Sequence, residues 1–134
     1  MSERTSLIPN QLEELDVLGS IFQLYLYGCG HRNEQMKGAA YSGMRAASSL
    51  LAKTVELDVS TVQFIAEELV EEHAYLSGIN ATGSWVKARF AEGIYWSGDT
   101  VLAQQIADSG LHPEHEKEVS AFFNSFPTSS SMNQ

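Results

Sequence analysis

Histidines and carboxylates crowd into one short stretch, His112, Glu114, His115, Glu116 and Glu118, and these residue types are the common ligands of zinc. A helix surface presents two such ligands, whereas catalytic zinc takes three and a water. Nothing in the spacing brings His31 or His73 in as a third. The His-Glu-x-x-His pattern is missing, and no Glu stands three residues before a His as in di-iron bundles. The stretch therefore reads as a helix start, with Glu114 and Glu116 favouring the N-terminal dipole. Cys29 lies between two glycines with His31 two residues on, so a thiolate is conceivable. Nucleophilic catalysis would also need an oriented base and an oxyanion site, and no such signature surrounds it. His73, beside Glu72, reads as a core or boundary histidine bonded to backbone. Gly28-Cys29-Gly30 lacks the Lys-Ser/Thr of a phosphate loop. No catalytic residue, cofactor site or metal site is assigned from the sequence.

A stronger signal is electrostatic. Between Lys53 and Lys87 the chain carries Glu56, Asp58, Glu67, Glu68, Glu71 and Glu72 and no Lys or Arg. Glu67/Glu71 and Glu68/Glu72 are each four apart, so a helix places them on one exposed face. Such a face repels phosphate backbones and anionic membranes and attracts basic protein surfaces. The net charge of −9 extends that exclusion of non-specific nucleic-acid binding to the whole chain. With 134 residues the chain suits one domain with a real core. A single cysteine excludes an intramolecular disulfide and fits a reducing compartment. The N-terminus lacks a basic n-region and apolar h-region, and no apolar run approaches the roughly 20 residues that span a bilayer. A cytoplasmic protein is expected.

The elements that must carry these groups read as helices punctuated by glycine. Residues 1–8 read as a flexible N-terminus, 9–126 as the helical domain and 127–134 as a disordered polar tail. A first helix follows Pro9-Asn10 with Leu12, Leu15, Leu18, Phe22, Tyr25 and Leu26 at helical spacing, and stops at Gly28-Cys29-Gly30. A second, from about Asn33 to Val55, would bury Met36, Ala40, Gly43, Ala47, Leu50, Leu51 and Thr54. With Arg32 at its start it bears Lys37, Arg45 and Lys53 against Glu34 alone, the one basic element of the chain. Its small residues Ala39, Gly43 and Ala47 are four apart and suit tight helix packing or self-association into a homodimer. Ser60 and Gln63 form a capping box for a third helix, whose inner face is Val62, Ile65, Ala66, Leu69, His73 and Leu76 and whose end is Gly78. Thr82-Gly83-Ser84 opens a fourth, bearing Trp85, Val86, Phe90, Ile94, Tyr95 and Trp96. Asp99 caps a short fifth, and Pro113 begins a sixth with Val119, Phe122 and Phe123. The expected fold is all-α, an irregular single-domain bundle of five to six helices. The second helix is its expected centre, packed against the acidic third.

Residues 51–62 resemble the helix-turn-helix pattern, with Ala52, Val55, Leu57 and Val62 and the Ser60-Thr61 opening in register. The resemblance implies that Ser60, Thr61, Gln63 and Phe64 would face the major groove. Glu56 stands where that family usually has glycine, and the would-be recognition helix runs into four glutamates, whereas positioning on DNA uses basic groups. The leading expectation is a regulator that binds another protein as inhibitor, antiactivator or adaptor. Its partner would present a basic or dimerisation surface. Glu67, Glu68, Glu71 and Glu72 would steer it, with Trp85, Tyr95 and Trp96 as anchors if they stay exposed, since Trp and Tyr dominate interface hot spots; burial of either tryptophan in the core is the alternative. A helix-turn-helix regulator using residues 51–65 is the alternative, and a small metal-binding protein or hydrolase the third.

Overall fold

The computed structural model describes residues 12–73 and 83–126. Six α-helices and no strand are found among them, packed into one all-α domain. They are α1 (Leu12–Gly30), α2 (Glu34–Thr54), α3 (Val59–His73), α4 (Ser84–Trp96), α5 (Thr100–Ala107) and α6 (Pro113–Ser125). The expected N-terminal segment 1–8, the tail 127–134, Leu76, the Gly78 stop and Thr82 lie outside the described residues.

Local chemistry sets the helix ends. Asn33 caps α2 by accepting the Met36 N–H at 3.1 Å, and Asp99 caps α5 through Leu102 N–H at 3.0 Å. Pro113 occupies the first turn of α6, where its missing N–H costs nothing. Gly110 turns the chain between α5 and α6 with φ of 94°, a region that favours glycine. The Ser60/Gln63 capping box does not form. Helix α3 starts earlier, and Asp58 Oδ1 accepts both the backbone N–H and the hydroxyl of Thr61 at 2.8 Å. A carboxylate that takes two donors displaces the serine as cap.

The centre of the bundle is α4, not α2. It packs against α2, α3, α5 and α6, and every residue from Ser84 to Ile94 is buried. A helix buried on all sides must use small residues where neighbours cross, and Ala88, Ala91 and Gly93 serve here. The closest approach is at Gly93, where a methyl group would collide with Ser48 Oγ and the Arg45 carbonyl of α2. Helix α2 leans on α1 and α4, and its buried stripe is Ala40, Met44, Ser48 and Leu51. Leu50, expected inside, is 63% exposed. The expected packing of basic α2 on acidic α3 is replaced by α1 against α3. Arg45 is drawn instead to a buried carboxylate on α4. From α1, Leu18, Phe22 and Leu26 complete the core.

Candidate functional site

Helix α3 presents its acids by anchoring its other side. Val62, Ile65, Ala66 and Leu69 are buried, and Glu67, Glu68, Glu71 and Glu72 are all exposed. The two pairs wall two different grooves. Glu67 and Glu71 flank one of about 620 Å³, closed by the start of α4 and the α5–α6 turn. Val70 and Leu111 give it apolar surface, and Gln63, Lys87 and His112 supply its polar lining. Glu68 and Glu72 flank the other, of about 300 Å³, between α3 and α1, with Asp16, Ser20, Gln23 and His73. His73 bonds not to backbone but to Gln23, with Nδ1 and Nε2 3.2 Å apart. Gly19 leaves room for the ring, since a methyl there would sit 2.7 Å from His73 Nε2.

The wall opposite Glu67 is built from polar side chains held in place. Lys87 is only 7% exposed, and its ammonium donates to Gln63 Oε1 at 2.8 Å and to the Ser109 carbonyl at 3.3 Å. Gln63 in turn donates to Glu67 Oε2 at 2.8 Å. Burial pushes the Lys87 ammonium below the usual lysine range, and Glu67 pulls it back up. Ser84 Oγ accepts the His112 N–H at 2.8 Å and lies 2.7 Å from His115 Nδ1. That hydroxyl bolts the start of α4 to the start of α6. Burial holds the His115 imidazole below the ordinary histidine range.

Beneath this wall runs an ion network that the sequence does not announce. Arg89 and Glu92 side chains are both 0% exposed. Glu92 accepts from Arg45 Nε at 2.7 Å and from Arg89 Nη2 at 3.1 Å. Arg89 Nη2 also reaches Glu118 Oε1 at 2.8 Å, which ties α6 to α4. The Arg89 guanidinium lies over the Tyr41 ring at 4.4 Å, and Arg45 over Phe122 at 4.8 Å. Burial pushes the Glu92 carboxyl up, and Arg89 and Arg45 pull it down. The one sequence signal was the run of Ala88, Ala91 and Gly93 around these charges, which marks a helix with no solvent face.

Other expected site residues are dispersed. Trp85 is not an anchor: it is 2% exposed and stacks on Tyr25 at 3.9 Å between ring centroids. Its neighbours on α1 and α2 enclose the face that an isolated helix would show to solvent. Tyr95 is half-buried, stacked on Phe123 at 4.1 Å and donating to the Phe123 carbonyl. Trp96 is 59% exposed, at the far end of α4 from the α3 groove. In the small-residue row Ala39 is exposed, while a methyl group added at Gly43 would meet Ile21 of α1 at an ordinary 3.6 Å. Ala47 packs on the core. The close helix crossing belongs to Gly93 instead.

Of the four side chains that the helix-turn-helix resemblance aims at DNA, Thr61 is buried against Asp58 and Gln63 is engaged with Lys87 and Glu67. The His112 and His115 rings are 5.6 Å apart, and among the described residues no three His, Cys, Asp or Glu side chains gather as a metal site. Among those residues, no helix is long and apolar enough to cross a membrane. No family model, curated protein or solved structure matches the chain.

Proposed function

We propose that the protein is a small regulator that works by binding another protein through the acidic face of α3. One observation carries the reading. Four exposed glutamates stand on a helix pinned by its apolar side, and among the described residues none of them forms a salt bridge. Apart from the Gln63 contact to Glu67, their charge is left for an incoming surface, and complementary charge raises association rates and suppresses wrong partners. The partner is one with a basic or dimerisation surface, such as a nucleic-acid-binding protein, which the regulator would block or deliver. The lone thiol of Cys29 and the acidic balance suit a cytoplasmic setting. Capture from native lysate with the wild type, and with Glu67, Glu68, Glu71 and Glu72 changed to Lys, tests the proposal. Loss of the wild-type partners on charge reversal is expected. An identical partner list would remove the acidic face from the account.

A second reading, a serine hydrolase, has one contact in its favour. Ser84 Oγ lies 2.7 Å from His115 Nδ1 beside the larger groove, the spacing of a nucleophile and its base. Labelling by a fluorophosphonate, abolished by Ser84→Ala, would promote it. The helix-turn-helix reading is weakened by the internal use of Thr61 and Gln63 described above.

A further inference from the structure

We infer that the groove between α3 and the start of α4 seats one basic, amphipathic segment of that partner. An apolar side chain would lie on Val70 and Leu111, and an adjacent arginine or lysine would reach Glu67 and Glu71. The inference rests on the protein-binding reading and adds where, and with what chemistry, the partner is held.

The two grooves beside α3 differ in kind. The one walled by Glu68 and Glu72 is the smaller, and its surface is mainly polar, with Asp16, Ser20, Gln23 and His73. It attracts cations and offers an apolar group only the smaller surface of Leu15 and Leu69. The one walled by Glu67 and Glu71 has about 620 Å³, within the roughly 300–1,000 Å³ usual for binding pockets. Its surface is mainly apolar. Lys87 contributes its methylene stem there, because its ammonium is already held by Gln63 and the Ser109 carbonyl. Two carboxylates against one committed ammonium leave net negative charge beside an apolar floor, where a docked segment would cover it. Charge complementarity then selects a cation carried on an apolar stem or beside an apolar neighbour, which describes arginine or lysine in an amphipathic helix. A bare metal ion would find only two carboxylates where calcium takes six or more oxygens, and a nucleic-acid phosphate would be repelled.

This division assigns different work to the two pairs of glutamates. Glu67 and Glu71, beside the groove, govern how long the segment stays. Glu68 and Glu72, which face the second groove and lie outside the docked segment, govern how fast it arrives, since rim charges act on association and desolvated contacts on dissociation.

A phage-displayed library of random peptides about 12 residues long, roughly three helical turns, provides the probe. It is selected on the full chain. Enriched peptides are expected to pair an Arg or Lys with a Leu, Ile, Val, Met or aromatic residue three or four positions away. With the best peptide synthesised and labelled, Glu67→Gln/Glu71→Gln should weaken binding about ten-fold or more, mainly through faster dissociation. Val70→Ser should weaken it several-fold, whereas Glu68→Gln/Glu72→Gln should leave dissociation unchanged and slow association at low salt. Circular dichroism verifies that each variant is folded. Enrichment of acidic or uncharged peptides, no enrichment, or equal dissociation effects from the two pairs would overturn the inference. Loss of lysate partners on reversing all four charges, together with any of those results, would leave the parent reading standing and remove only the groove.

Discussion

Substituting Gly93 with alanine puts the bundle's central crossing under direct test. In an exposed helix interior this change is favourable by about 1 kcal/mol, because alanine has the higher helix propensity. At Gly93 the added Cβ would fall on Ser48 Oγ and on the Arg45 carbonyl of α2, closer than Cβ atoms are found to any neighbour. The hydroxyl can rotate aside but the carbonyl belongs to a helix backbone, so α2 must move away from α4. Overpacking of this kind costs about 1–3 kcal/mol, and more where backbone must shift. The upper part of that range applies here, and subtracting the propensity gain leaves a net loss of about 2 kcal/mol. For a chain of this size that lowers Tm by roughly 8 °C. Gly38 of α2 is the control, since nothing lies within 4 Å of a methyl group there. Gly38→Ala should stabilise by about 0.5–1 kcal/mol. Urea denaturation followed by circular dichroism measures both. Adding Ser48→Ala to Gly93→Ala should not restore stability, because the Arg45 carbonyl remains. A Gly93→Ala variant as stable as the wild type would refute the close approach of α2 and α4.

Four further outcomes follow from the same geometry. Glu92→Ala leaves the buried Arg89 guanidinium without its main counter-charge and should cost about 3–5 kcal/mol. Glu34→Ala, which breaks the exposed Lys37–Glu34 pair, should be close to neutral by the same denaturation assay. His115 has a folded pKa below its unfolded value of 6.5, so the unfolded chain binds the extra proton as pH falls. Its contribution is fully present above 6.5 and is lost as pH drops through the folded value. His115→Gln should flatten that part of the stability profile measured between neutral pH and pH 5. Trp96 is exposed and Trp85 enclosed, so Trp96→Phe should remove the acrylamide-quenchable emission and keep a blue-shifted, protected one. Trp85→Phe should do the reverse.

Much of the scaffold was legible because its signals are local. Asn33, Asp99 and Pro113 mark helix starts by hydrogen-bonding rules that need no tertiary knowledge, and α2, α5 and α6 begin where those rules place them. The inner face of α3 follows from period alone, and with it the exposure of Glu67, Glu68, Glu71 and Glu72. What sequence reasoning missed depends on partners far along the chain. Arg89 and Glu92 are residue types that mark a solvent face, and only Arg45 and Glu118, brought in from α2 and α6, let them be buried. Lys87 is covered in the same way, through Gln63 and Ser109. Once α4 sits at the centre, Trp85 has no route to the surface, and the small residue that matters for helix approach is Gly93 rather than Gly43. Both grooves exist only because α3 lies between α1 and α4, a neighbourhood that periodicity does not specify.

The most direct measurement is the affinity of a partner, recovered with the wild-type chain, for a variant bearing Gln at 67, 68, 71 and 72. Gln keeps the side-chain size and helix propensity while removing four charges, and circular dichroism verifies that the variant is folded. Affinity is expected to fall at least about ten-fold at 0.15 M salt, and the salt dependence of association to disappear largely. Equal affinity and an unchanged salt dependence would contradict binding through the acidic face.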